Sequence, residues 1–288
     1  MNMTTWVAHP ADRLNVVRAA SAPVVLFSPF WSGLPEGYAW PAALVIFAAI
    51  GKTNYILRLH IHRPFSTKTW LNLMLDLSMG LSTGMTASNW RIQHRYGHHR
   101  GIDQPYRPDR AWETARYSAL GALSFSIRSI WPTFWRPVAE AFRKGVLKDV
   151  KSPINYRWAF VEQSLLILFA LSLLAWKPGL VLTFLLPWYA LIAFISRYVD
   201  YLNHYGCDEH SPNPYERANN SLSPVFNRVC NNFGYHTAHH LKPAAHWTEL
   251  PEIHAKIVDR VPARLLKPFS WLCLLLPYHC VLSWRGRM

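Results

Sequence analysis

Apolar residues run along this chain in long blocks. The first block, residues 19–57, is broken at Pro35, Glu36 and Gly37. It predicts a helical hairpin with arms over about 19–35 and 38–57. The second holds "WAFVEQSLLILFALSLLAW" at 158–176 and "LVLTFLLPWYALIAFISRYV" at 180–199, with Lys177-Pro178-Gly179 as the turn between them. Each of these two is about twenty residues, the length that crosses a bilayer. Residues 66–89 are apolar but carry Asp76 and many Ser and Thr, which predicts an interfacial helix rather than a fifth span. Residues 265–284 hold two prolines and read the same way. No internal repeat breaks the chain up. The pattern predicts an all-α integral membrane protein. It has a single domain over 1–288 and four transmembrane helices in two hairpins. Arg18 directly before the first, proline-interrupted block argues against a cleavable leader.

Composition supports a membrane setting. Hydrophobic residues make up 51% and charged residues 16% of the chain, against roughly 25% charged in ordinary soluble domains. The net charge of +14 fits anionic lipid or an acidic partner. No basic-aromatic nucleic-acid motif is present, so nucleic acid is excluded as a partner. Lys and Arg sort sharply: residues 19–50 contain none, 158–196 contain only Lys177, and 58–157 contain sixteen. By the positive-inside rule the basic segments and both ends face the cytoplasm. A large cytoplasmic helical cap therefore lies between and after the hairpins. The four cysteines form no C-x-x-C pair, which argues against a disulfide framework or a thiolate zinc site.

Histidine placement changes the picture from a membrane protein to a candidate metalloprotein. Thirteen of the fourteen histidines come after residue 59. His60 and His62 stand in "RLHIHRPF", just past the second arm. His94, His98 and His99 stand in "HRYGHH". His204 stands in "DYLNHYG", just past the fourth arm. His236, His239 and His240 stand in "GYHTAHH". On a helix of about 100° per residue the last three share one face, and His94 and His98 share a face with His99 to the side. Topology brings every cluster to the cytoplasmic depth. Neutral imidazole is a common ligand of iron, zinc and copper. The H-E-x-x-H zinc signature and the E-x-x-H motif of carboxylate-bridged iron are both missing. Copper would recruit Met or Cys as well. Iron with open positions, and hence dioxygen chemistry, is the best fit.

These clusters resemble the three histidine boxes of the integral-membrane fatty acid desaturase and hydroxylase superfamily. "HRYGHH" resembles the second box, "HTAHH" with its flanks the third box of bacterial members, and "NHYG" the extra-histidine motif of alkane monooxygenases and desaturases. The resemblance covers about residues 50–256. It implies two non-haem iron ions on the cytoplasmic side of four helices, in a bacterial inner membrane. It also implies O2 as co-substrate, a fatty-acyl or alkyl substrate and an external electron donor of ferredoxin, rubredoxin or cytochrome type. By resemblance His94, His98, His99, His204, His236, His239 and His240 are metal ligands, and His62 closes the first box. Where the first box has its opening histidine, four residues before His62, this chain has Arg58. His60 is a candidate ligand only if the helix unwinds near Pro64. Asp200 stands where relatives often carry Asn. It shares a helical face with His204 and is a candidate ligand, with Arg197 three residues back as the alternative partner.

The function expected is an O2-dependent di-iron oxidoreductase that desaturates a long fatty-acyl chain by C–H abstraction. A fatty-acyl or alkane hydroxylase on the same site is the nearest rival. A metal transporter or sensor would need coordinating residues inside the spans, where only Glu162 fits. Arg and Lys on the cytoplasmic face suit an acyl chain presented on an acidic carrier.

Overall fold

The computed structural model describes residues 6–33, 35–99, 119–148, 151, 153–208 and 211–267, without the side chains of 96–98 and 119. The chain packs as two compact units, 1–106 with 130–193, and 107–129 with 194–288.

In the first unit α1 (Arg13–Leu26) and α2 (Ser28–Trp31) are separated by Phe27. Prolines explain the break. A helical proline has no N–H to give the carbonyl four residues back, and its ring crowds that carbonyl. Pro23 and Pro29 free the carbonyls of Ala19 and Val25. The Ser78 hydroxyl donates to Ala19 O, and the Ser28 hydroxyl donates to Val25 O at 2.8 Å. Next come α3 (Ala39–Ile50) and α4 (Thr53–His62), joined through Gly51 and Lys52. Then come α5 (Thr69–Thr83) and α6 (Ala87–Trp90), which passes into a π-helical stretch, Arg91–His98. After α7 (Ala119–Ala141) and a second π-helical stretch, Phe142–Leu147, comes α8 (Tyr156–Trp176). Last are α9 (Pro178–Leu180), a third π-helical stretch, Val181–Leu185, and α10 (Leu186–His204).

Among the described residues, three helical stretches are long and apolar enough to cross a membrane: Glu36–His62, Tyr156–Trp176 and Pro178–His204. They coincide with three of the four expected arms. The remaining arm, 19–35, holds the end of α1 and all of α2, helices of 14 and 4 residues. The spans carry exposed apolar faces, with Leu168 61% and Leu182 57% exposed, as a lipid-facing surface requires. Glu36, before α3, lies against Gly179 in the turn after α8, where a Cβ would collide with its carboxylate. These two loops therefore meet at one end of the unit.

The expected interfacial helix over 66–89 divides into α5 and α6 at Gly84, whose φ of +73 is left-handed. The last carbonyls of a helix have no partner within it. Here the Trp188 indole donates to Ser82 O at 2.9 Å and the Tyr189 hydroxyl to Leu81 O at 2.7 Å. A core of Leu26, Phe30, Ile46, Phe184 and Trp188 fills one part of the unit. A second, with Ile56, Leu57, Leu75, Met79 and Trp90, lies under α4 and α6.

The second unit holds α11 (Pro224–Val229), α12 (His236–Leu241) and α13 (Leu250–Ala255). It also has a parallel pair, β1 (Asn220–Ser221) with β2 (Leu266–Lys267). All but the first three residues of the expected segment 265–284 lie outside the described residues.

Candidate metal centre

Imidazoles converge within each unit. In the first unit His62, at the end of α4, meets His94 and His99, and their ring nitrogens lie within 4.8 Å of one another. The π-helical stretch creates this meeting. On an α-helix His99 would point away from His94. Here the His99 N–H reaches back five residues to His94 O at 3.1 Å, and residues five apart share a side. The two Nε2 atoms are 3.1 Å apart. The His62 ring stands edge-on to both, with centroids 4.9 Å from His94 and 4.8 Å from His99.

In the second unit His204, His236 and His240 converge. His236 Nε2 lies 3.2 Å from His204 Nε2 and 3.2 Å from His240 Nε2. His204 and His236 are almost fully buried. The carbonyl of Arg217 lies 3.1 Å from His204 Nδ1. A carbonyl only accepts, so Nδ1 carries the proton and Nε2 presents a lone pair to the group. Carbonyls orient metal-binding histidines in this way.

The loop before α12 is built to hold it. Asn231 and Asn232 both have left-handed φ, 50 and 59, a conformation that Asn tolerates better than most residues. Gly234 passes so close to Ser221 O and Asn227 that a Cβ would collide with both. The Asn227 side chain accepts from Gly234 N at 2.9 Å and donates to Ser221 O at 2.9 Å. Asn220 accepts from Thr237 N at 3.0 Å and donates to the Thr237 hydroxyl at 2.8 Å. Asn220 and Asn227 thus position His236 and His240, and no reading of the histidine pattern pointed to them. The asparagines and glycine crowding the third box were the available signal.

The other expected site residues have surroundings of their own. His239 is buried on α12, its ring stacked 5.6 Å from that of His236, but it is not part of the His204 group. The three histidines read as one face are therefore divided. His60 does not join His62. Its Nδ1 accepts from Phe65 N at 3.2 Å, and its Nε2 faces Asp76 at 3.4 Å. The helix stays regular through His62, so His60 keeps to the opposite side. Asp200 pairs with Arg197 at 3.1 Å and is not in the group with His204. The His98 side chain lies outside the described residues. His246 Nδ1 lies 2.7 Å from the Thr248 hydroxyl. Burial pushes the His254 imidazole below its usual range, and its ring packs 4.8 Å from Tyr235, the residue before α12.

Both groups fit a metal ion. Two imidazoles on one ion, each about 2.0–2.1 Å from it, place their nitrogens about 3 Å apart. The observed spacings are 3.1–3.2 Å. Protons alone serve the second group poorly. His204 Nε2 turns a lone pair toward the group, and one proton on His236 Nε2 bridges only one of its two neighbours, whereas a cation draws on all three. Buried neutral imidazole is a donor for iron, and the described groups hold no thiolate or thioether that would favour copper.

The fatty acid desaturase family model matches residues 38–281, a stretch that contains both groups. The chain belongs to the fatty acid desaturase family. Membership suggests a membrane di-iron oxidoreductase acting on fatty chains, with an electron donor, and the apolar helices are compatible with a membrane. No curated protein and no solved structure matches the chain.

Proposed function

We propose that this family member is a fatty-acyl desaturase: an O2-dependent di-iron enzyme that removes two hydrogens from a long acyl chain. The observation that carries the reading is the convergence of ring nitrogens at 3.1–3.2 Å in both histidine groups. The ligands we assign are His62, His94, His98, His99, His204, His236, His239 and His240. His60 and Asp200 are left to Asp76 and Arg197. When bound, the iron pair supplies reductive activation of O2 for attack on an unactivated C–H bond. In the balanced reaction a CH2–CH2 pair becomes CH=CH and O2 becomes two waters, and the donor supplies two electrons with two protons.

The chain's own residues hold the parts in place. The Arg217 carbonyl fixes the His204 tautomer, and Asn220 fixes the start of α12. In the first unit an apolar cavity of about 880 Å³ runs along α7, α8 and α10. Trp131, Phe134, Leu166 and Tyr189 line it. Its volume and apolar walls suit an alkyl chain and exclude water. Gln163 is a polar point in that wall, and it accepts from Asn89 on α6, the helix that leads into His94.

The wider reading has four spans, with 19–35 as the first, and the histidine groups on the cytoplasmic side of a bacterial inner membrane. The basic cytoplasmic face would receive an acyl chain on an acidic carrier and a ferredoxin, rubredoxin or cytochrome donor. The test is mass analysis of products from acyl substrates with the reconstituted chain. Loss of two hydrogens is expected; gain of one oxygen would make it a hydroxylase. In parallel, His204→Ala, His236→Ala and His240→Ala should each lose the ion that their group holds, and turnover with it, while still inserting in the membrane. Full iron and turnover in any of them would refute the ligand set.

A further inference from the structure

The two histidine groups differ in one respect. In the second, the group's nitrogen on His204 is Nε2, and the outside partner, Arg217 O, is on Nδ1. That arrangement supports a ligand, because it turns the Nε2 lone pair toward the group. In the first, the outside partner is on the wrong nitrogen. Arg58 is buried, 5% exposed. Its Nε lies 3.0 Å from His94 Nε2, the same atom that faces His99. A guanidinium is always protonated and can only donate. His94 Nε2 is therefore its acceptor, and the lone pair that would bind a metal is already taken.

Arg58 is held in this role by the helix. It stands one turn before His62 on α4, so both side chains leave the same face toward His94. An imidazole nitrogen has one lone pair in the ring plane. It cannot serve the guanidinium and a metal ion together, and the two cations also repel each other.

We infer that Arg58 is a built-in competitor for the metal position of the His62–His94–His99 group. An ion enters that group only when the guanidinium leaves His94 Nε2. In the His204–His236–His240 group the Arg217 carbonyl sits on the nitrogen turned away from the group, and this group fills first. This rests on the ligand assignment proposed above, and the chain would load its two ions unequally. No bond is made or broken in the protein: a hydrogen bond to a lone pair is exchanged for a metal–nitrogen bond.

The experiment is equilibrium dialysis of the full chain in detergent, stripped with chelator, against Fe²⁺ under anaerobic conditions, with bound iron measured by elemental analysis. The wild type should take up one ion at low free iron and a second at concentrations at least about tenfold higher, the scale on which partners of metal ligands act. Arg58→Met keeps the apolar stem without the charge, and Arg58→His offers an imidazole. Both should strengthen the second uptake at least about tenfold and leave the first unchanged. Two equal affinities in the wild type would overturn the proposal. So would an unchanged second uptake, or its loss in both variants, which would make Arg58 a support for the site. His94→Ala and His236→Ala separate this from the ligand assignment. They should remove the weak and the tight ion respectively. If neither changes uptake, the assignment fails; if both do and Arg58→Met does not, the competitor alone fails.

Discussion

Asp200 and His60 show what a single residue's chemistry decides. Each was a candidate ligand because it stands near histidines in the chain, and each instead faces an opposite or complementary charge. Asp200 joins Arg197 one turn back on α10, and both are nearly buried. His60 faces Asp76, which also accepts from Arg91 at 2.8 Å. The ion pair makes a prediction at this scale. Asp200→Ala and Arg197→Ala should destabilise the protein alike, by about 2 kcal/mol, since each removes one side of a largely buried ion pair. Iron content should be unchanged in both. Thermal melting and iron analysis of the purified variants check this. Iron loss in Asp200→Ala alone would return Asp200 to the metal site. The residue types of the site were legible in the chain: His62, His94, His99, His204, His236 and His240 all fall in the two groups. Which nitrogen each presents was not, because tautomers are fixed by distant carbonyls such as that of Arg217, thirteen residues after His204.

At the scale of elements, the sequence reading was strongest where helices are long and apolar. The stretches Glu36–His62, Tyr156–Trp176 and Pro178–His204 follow from composition alone. It was weakest where the period departs from 3.6. Nothing in "RIQHRYGHH" announces a π-helical stretch, yet that stretch is what turns His99 onto His94. The division of 66–89 had a visible cause, Gly84. Its left-handed φ suits glycine, and a Cβ there would lie 2.7 Å from the Tyr189 ring. Gly84→Ala should therefore be costly twice over. The backbone penalty is about 1–2 kcal/mol and the overpacking about 1–3 kcal/mol. Melting in detergent should fall by several degrees and the Tyr189 side of the cavity should lose volume. An alanine variant that melts with the wild type would show that this break in the helix is not set by Gly84.

For the molecule as a whole, the distribution of charge carries an argument that apolar length cannot. Among the described residues, length and composition mark three stretches able to cross a membrane. Three crossings would put Arg13 and Arg18 on the opposite side from the sixteen Lys and Arg over 58–157, whereas basic segments on both flanks of a stretch with none over 19–50 favour an even number. The first arm is the one that decides. Its helices are short and broken by Phe27, but the serines at 28 and 78 satisfy the carbonyls its prolines expose. That satisfaction is what a broken helix needs inside a bilayer. Glu36 against Gly179 adds that the loop after this arm and the turn of the second hairpin lie at one end. The prediction is a four-span topology. With the four native cysteines replaced, Lys148→Cys and Lys256→Cys should react with a membrane-impermeant thiol reagent only from the cytoplasmic side. Lys177→Cys, in the turn beside Gly179, should react only from the far side. A cysteine placed at Arg13, before the first arm, should behave like those at 148 and 256. Labelling of Arg13→Cys from the far side, with the other three as expected, would leave three spans and remove 19–35 from the membrane. Labelling of Lys148→Cys from the far side would go further, because it would separate His94 and His99 from the cytoplasm and from the donor that the proposed reaction requires.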